Sequence, residues 1–332
     1  MRNGAKTICA TLESVHAQTV KPQRIIVVDD GSDDGAAALI SGYPLVDIVR
    51  TDPIGASHAR NVGLRFSRAD YIAFLDCDDL WRPDKLERQL EIATRAPGVA
   101  VVTCDQVHVR MEGGMIPWTY DAPRFGKNVF EDLLSHCFRH GGWSSNMLAR
   151  RGALLDCGGF DERLQFGEDV DLCLRLARNH LFGHSAECLT YIRENPDSTT
   201  RRKRPPDWYL EVALQHLSVV EKWVPARVVR GPVIAQCVWV ILTKLARGPL
   251  RYDRLPAFRR ELVSRTPNLA AKIARSQAHF LFTLGLFGAL QWPRFLTAGT
   301  RYLARRASRE NSVPIIADCR PTAPAARRIL PD

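Results

Sequence analysis

Two short runs rich in β-branched and aromatic residues, Arg24-Ile25-Ile26-Val27-Val28 and Tyr71-Ile72-Ala73-Phe74-Leu75, each stop on a group of aspartates. Apolar residues that run on without alternating suit strands covered on both faces. Helical spacing flanks both runs. Ile8, Leu12 and Val15 precede the first, a pattern from Ala36 follows it, and another covers Ser57–Phe66. Val46–Val49 and Val99–Val102 read as further strands, and Pro83 stands where it would open a helix at its first position. Strands alternating with helices predict an α/β, doubly wound sheet. In such sheets ligands bind beyond the carboxyl ends of the strands, where both aspartate groups fall.

The rest of the chain changes character. From about residue 125 to 193 the pattern is mixed, with helices near Val129–Phe138 and Asp169–Arg178 and a strand near Glu187–Ile192. After Arg201-Arg202-Lys203-Arg204-Pro205-Pro206 only helical periodicity remains, so a domain boundary is expected there, with a loosely ordered tail over 306–332. Charge follows the same division. The whole chain of 332 residues has net charge +10, but residues 1–200 hold 22 basic and 28 acidic side chains. Residues 201–332 hold 24 basic and 8 acidic ones. The positive surplus belongs to the back part, which argues against nucleic acid as a partner of the front part. The nine cysteines are scattered and never spaced C-x-x-C, which excludes a paired zinc or redox motif and suits free thiols in a reducing compartment. Met1-Arg2-Asn3-Gly4 opens no apolar stretch, so no signal peptide is expected. The apolar run His279–Leu290 is too short to span a bilayer, which takes roughly 20 residues.

The aspartate groups carry the chemistry. Asp76-x-Asp78-Asp79 sets carboxylates on one turn, where they repel unless a cation neutralises them. Mg²⁺ or Mn²⁺ prefers such oxygen ligands and bridges to phosphates. The bland alternative is that Asp79 or Asp84 caps the next helix while the other acids are solvated. Asp29-Asp30-Gly31-Ser32 is read either as the cap of the helix from Ala36 or as a carboxylate facing a polar ligand edge. Arg60 suits a diphosphate or a plain surface role. Gly167-Glu168-Asp169-x-Asp171 opens a helix, where first-turn acids favour the dipole and would equally suit a positioned general base.

In order along the chain, these residues resemble the glycosyltransferases of family 2. The resemblance rests on Asn3-Gly4, Thr11-Leu12-Glu13-Ser14-Val15, Gln18-Thr19 and Ile26-Val27-Val28-Asp29-Asp30-Gly31-Ser32-x-Asp34-Gly35. It continues through Gly55-x-x-x-Ala59-Arg60-Asn61-x-Gly63, Phe74-Leu75-Asp76-x-Asp78-Asp79, Gly158-Gly159-Phe160-Asp161-Glu162 and Glu168-Asp169-x-Asp171-Leu172. It implies a GT-A-like (Rossmann-like) mostly parallel sheet flanked by helices over residues 1–200, with a helical region behind it. It also implies transfer of one sugar, with inversion, from a nucleotide-sugar, most often a UDP-sugar, to a glycan or lipid-linked acceptor. Carried over by position, Asp30 contacts the base, Arg60 and Asn61 help hold the nucleotide, and Asp76 sits near the ribose and diphosphate. Asp78 ligates Mn²⁺ or Mg²⁺, and Asp169 is the general base. Trp143 and Glu168 fall on the acceptor side, and Asp171 braces the helix. The Gln-x-x-Arg-Trp motif of processive members is absent, so single-sugar transfer is expected. At the front, members carry a strand before Asn-Gly where this chain has Met1-Arg2. The sheet is therefore expected to be one strand short, with unpaired backbone and one wall of the nucleotide site missing.

The basic region 201–305 holds apolar helical runs at Val233–Leu245 and Phe280–Leu290 amid arginines. It is read either as a helical cap or as a face for an anionic membrane, which would put the protein in the cytoplasm, peripheral on the inner face of the cell membrane. Two other functions compete with transfer. One is a nucleotidyltransferase, which would need a Gly-rich basic loop not found near the start. The other is a catalytically impaired glycan- or membrane-associated homologue.

Overall fold

The computed structural model describes residues 1–111, 115–120, 129–136, 143–195, 205–223 and 255–275. The first apolar run forms strand β1, Ile25–Asp30, parallel to β2, Val46–Thr51. Alternation explains why it is apolar throughout. Val27 packs with Ile8 and Leu12 of α1 (Ile8–His16) and with Ala36 and Ile40, while Val28 packs with Ala59 and Val62 of α3 (Ala56–Phe66). The strand is covered on both faces, and Asp29 and Asp30 are its last two residues. Helix α2 is a single turn, Ala36–Leu39, entered from Asp34, whose Oδ1 accepts from the Ala36 amide at 3.1 Å.

The second apolar run is a shorter strand, β3, Tyr71–Ala73. Phe74 leaves the sheet to meet Phe160 edge-on, with ring centroids 5.2 Å apart. Next come β4 (Leu80–Trp81), α4 (Lys85–Arg95), β5 (Val99–Arg110), β6 (Met115–Tyr120) and α5 (Val129–His136). The one-turn α6 (Trp143–Asn146) leads into β7 (Leu148–Arg150), α7 (Arg151–Asp156), α8 (Glu168–Asn179) and β8 (Leu181–Glu194). Helix α4 begins two residues after Pro83, with Asp84 at its N-cap position making no cap bond. The Asp84 carboxylate pairs instead with Arg82 and Arg88.

The larger sheet runs β3-β7-β5-β8-β4, with β6 on β5. Among the described residues only β1–β2 and β5–β8 are parallel; the other four of the six pairings there are antiparallel. The sheet is thus mixed rather than mostly parallel. Strand β6 follows β5 directly and returns against it, without the long crossover that a parallel neighbour needs. On the side of β1 away from β2, the Met1 ammonium donates to the Val28 carbonyl at 2.7 Å and the Asp30 amide donates to the Met1 carbonyl at 2.8 Å. These are the two bonds of a parallel rung opposite Asp29. Among the described residues no strand pairs with β1 on that side, and the sheet lies in two parts. Ile25 of β1 and Tyr71 and Ala73 of β3 nevertheless share one apolar cluster with Val15, Trp81, Leu86 and Leu148.

The described residues up to 133 and over 143–195 form one compact unit, and those over 205–223 and 255–275 belong to a second. In the second, α9 (Pro206–Glu221) packs with the helices Leu255–Arg265 and Pro267–Arg275. Leu217, Val220, Leu262 and Leu269 are buried there. Glu221 caps the last helix by accepting from the Asn268 and Leu269 amides at 2.9 and 2.7 Å. The runs Val233–Leu245 and Phe280–Leu290, the stretch Arg201–Arg204 and the tail 306–332 lie outside the described residues. No described helix is long and apolar enough to cross a membrane.

Candidate active site

Asp30 is buried at the end of β1, and its Oδ1 accepts from the Ile54 and Gly55 amides at 2.9 and 3.1 Å. It fixes the turn that leads into α3. Asp29 beside it is wholly buried, with Oδ1 taking the Ser32 amide at 3.0 Å.

From α3, Arg60 reaches two carboxylates on two different segments. Its Nη2 donates to Asp76 Oδ1 at 2.7 Å and its Nη1 to Glu168 Oε1 at 2.8 Å. The side chain is only 14% exposed and lies against the Phe160 ring, 5.4 Å from its centroid. Burial disfavours its charge, but the two carboxylates outweigh that and hold the guanidinium firmly protonated. Arg60 therefore ties the aspartate turn after β3 to the start of α8.

The turn 76–79 is braced from three sides. Ser145 Oγ donates to Asp79 Oδ2 at 2.7 Å and accepts from the Asp76 amide at 3.2 Å. Trp81 Nε1 donates to the Ser145 carbonyl at 2.9 Å, so α6 and β4 are locked together beneath the turn. The Arg193 amide donates to Asp79 Oδ1 at 3.2 Å. Asp79 is buried and structural. Burial, then the charges of Asp76 and Asp78, push its carboxyl well above the usual range. The cap role weighed for Asp79 and Asp84 is not what either side chain does. Asp78 is half-buried, and its carboxyl is raised by burial first and by Asp76 second.

Gly167, at φ 76°, turns the chain into α8, whose first turn carries Glu168, Asp169 and Asp171. Burial, reinforced by the neighbouring Glu168 charge and opposed by Arg60, brings the Asp169 carboxyl up to about 7. A carboxylate poised there exchanges a proton near neutral pH. Asp171 is wholly buried and pairs with Arg175 at 2.8 Å, and Arg175 also donates to the Cys157 carbonyl at 2.6 Å. It braces the helix, as expected.

Asn61 does something the residue pattern did not suggest. Its Nδ2 donates to the Phe160 carbonyl at 2.9 Å and to Glu162 Oε1 at 2.8 Å, and its Oδ1 accepts from the Phe160 amide at 2.8 Å. Ser57 Oγ adds a bond to the Leu164 carbonyl at 3.0 Å, and His58 pairs with Glu162 Oε2 at 2.8 Å. Helix α3 is thereby laced to the segment 160–164 ahead of Asp169. Gly159 sits at φ 68°, and a Cβ there would lie 2.5 Å from Asn61 Oδ1, which is why the motif needs glycine at this place. Trp143 opens α6, but its side chain lies outside the described residues.

The structure thus brings Arg60, Asp76 and Glu168 into contact, with Asp78 two residues on from Asp76 and Asp169 next to Glu168. It holds Asp30 at the end of the first strand and gives Asn61 a framework role. Ser145 and Arg193 were missed as braces. The only sequence signal for Arg193 was a lone arginine closing an apolar strand. Among the described residues no group of three or more His, Cys, Asp or Glu is placed to hold a metal ion. The donor set suits a hard cation held by one or two carboxylates with phosphate oxygens completing its shell, because Asp76 and Asp78 repel each other without one. The described cysteines, including buried Cys104 and half-buried Cys188, are free thiols.

Residues 1–157 match the family model for glycosyl transferase family 2. The front part of the chain is similar to that family and has an α/β, GT-A-like fold. Among curated relatives, the amylovoran biosynthesis glycosyltransferase AmsB of Erwinia amylovora is 28% identical over 183 residues, covering 52% of this chain and 60% of that protein. The succinoglycan biosynthesis protein ExoO of Rhizobium meliloti is 32% identical over 180 residues, covering 51% of each. The match thus spans little more than half the length of these relatives. Of solved structures, S. aureus TarS 1-349 in complex with UDP-GlcNAc superposes with a TM-score of 0.64 at 16% identity, covering 96% of this chain and 93% of that one.

Proposed function

We propose that the chain is an inverting glycosyltransferase that moves one sugar from a nucleotide-sugar, a UDP-sugar foremost, to a glycan or lipid-linked acceptor. The observation that carries this is the joining of Asp76 and Glu168 through Arg60, with Asp169 next along α8 and poised near pH 7. Asp169 takes the proton of the acceptor hydroxyl as that oxygen attacks the anomeric carbon. The bond from that carbon to the diphosphate oxygen breaks on the opposite face, and the nucleoside diphosphate leaves with the electron pair. A single displacement inverts the configuration. Glu168, held by Arg60, keeps negative charge beside Asp169 and so sustains its basicity. Asp78, with Asp76, would hold Mn²⁺ or Mg²⁺, which when bound supplies positive charge for the departing diphosphate. Asp30 stays on the base side as the carboxylate ending β1, and Trp143 on the acceptor side.

The relatives' names support cell-surface polysaccharide assembly, cell wall or exopolysaccharide, as the setting, and TarS with UDP-GlcNAc supports a UDP-sugar as donor. The basic region behind the catalytic domain supports a place on the cytoplasmic face of an anionic membrane. The test is release of UDP from a panel of UDP-sugars with Mn²⁺ and short glycan or lipid-linked acceptors, with the product anomer read by NMR. Inverted product from the wild type, and none from Asp78→Ala, is expected. Retained configuration rules out single displacement, and no turnover with any donor supports the impaired, binding-only homologue.

A further inference from the structure

At the far end of β8, Arg193 makes contacts that no other described side chain duplicates. Its Nε donates to the Asp78 carbonyl. Its Nη2 donates to the Thr7 carbonyl at 3.1 Å and to Thr11 Oγ1 at 2.7 Å. Its amide holds the Asp79 carboxylate. Thr11 Oγ1 in turn lies 2.9 Å from the carbonyls of both Cys77 and Asp79. Two residues on, Asn195 hydrogen-bonds the Asp78 carboxylate. One guanidinium therefore joins the start of α1, the aspartate turn and the end of β8, and it grips the turn at the backbone of Asp78.

We propose that Arg193 is the positioning residue of the cation-binding turn: its fork on the Asp78 carbonyl and on Thr7 and Thr11 sets the direction in which the Asp78 carboxylate is presented. This rests on the reading of Asp78 as the ligand of a divalent cation. A planar fork with several donors in fixed directions can fix a backbone carbonyl and a hydroxyl together, whereas a lysine supplies charge without that geometry. Outer partners that orient a ligand typically change metal affinity 10–100-fold when removed. The ligand itself is untouched by the change.

Mn²⁺ binding in the presence of saturating UDP, followed from the EPR signal of the free ion, tests this without any turnover. Arg193→Gln and Arg193→Lys are both expected to weaken Mn²⁺ binding by roughly 10-fold or more, while UDP affinity without metal stays within about twofold. Asn195→Ala, which leaves the fork in place, is expected to weaken Mn²⁺ binding by less than Arg193→Gln. If Arg193→Gln does not fold, the lysine variant, which retains the charge, carries the comparison. Folded Arg193 variants that bind Mn²⁺ as the wild type does would overturn the positioning role and leave Asp78 as ligand intact. A wild type that binds no Mn²⁺ with UDP would instead overturn the metal reading itself, and the positioning role with it.

Discussion

Among the described residues Lys85 is the largest fully buried side chain, and its amine meets no carboxylate there. Its Nζ donates to Gln89 Oε1 at 2.7 Å and lies 4.2 Å from the centroid of the Trp81 ring. Gln89 is itself spent on the carbonyls of Val102 and Asn146, at 2.9 and 2.7 Å. Burial lowers the Lys85 amine from 10.5 to about 8. Below about pH 8 the folded and unfolded chains both hold this proton, so the group adds no slope. Between about 8 and 10.5 the unfolded chain binds more protons, so stability rises with pH, by about 3 kcal/mol over the full window. Between about pH 7.5 and 9.5 the gain is about 2 kcal/mol. Lys85→Met keeps the length of the side chain and deletes the titration. Urea unfolding followed by tryptophan fluorescence at both pH values should show the wild type gaining about 2 kcal/mol relative to the variant. Other titrating groups cancel in that difference. At neutral pH the variant should be nearly as stable as the wild type, because relief of a buried charge offsets the unpaired Gln89 oxygen, which costs about 1–3 kcal/mol. Parallel pH curves for the two proteins would refute the buried, unpaired ammonium.

Three further outcomes follow from the site. Gly159→Ala should cost about 2–4 kcal/mol, since it combines a strained positive φ with loss of the Asn61 latch, whereas Gly158→Ala, at φ 82° with nothing within 4 Å, should cost only about 1 kcal/mol; thermal melts separate the two. Arg60→Met should destabilise by about 2–4 kcal/mol, discounted because Asp76 is 39% exposed, and should move the alkaline-rising limb of the pH–rate profile upward, because Arg60 is what lowers the Asp169 carboxyl. Ser145→Ala, which removes the donor to buried Asp79, should cost about 1–3 kcal/mol in melts.

Much of the strand and helix order was legible because β1 is buried on both faces, and a doubly covered strand shows as an unbroken apolar run. The direction of pairing was not legible. Nothing in Leu148–Arg150 or Leu80–Trp81 distinguishes an antiparallel neighbour from a loop, so a mostly parallel sheet was expected and a mixed one is found. At the site, motif order picked out Asp76 and Glu168, which the fold joins through Arg60, but not what each holds. Arg60 and Asn61 are consecutive polar residues of one helix, and only the fold shows that one meets Asp76 and Glu168 while the other laces α3 to Phe160 and Glu162. Ser145 and Arg193 act on groups far along the chain, and such partners leave no local spacing to read.

The most direct test of the account is the pH dependence of a single turnover with bound UDP-sugar and acceptor, in the wild type and in Asp169→Asn. The wild-type rate should climb through about pH 7 as the Asp169 carboxylate ionises and then level off. Asp169→Asn should lose roughly 10²–10⁴-fold in rate at every pH while UDP affinity is unchanged. A variant that turns over at the wild-type rate, or a wild-type profile flat between about pH 5 and 9, would contradict Asp169 as the base.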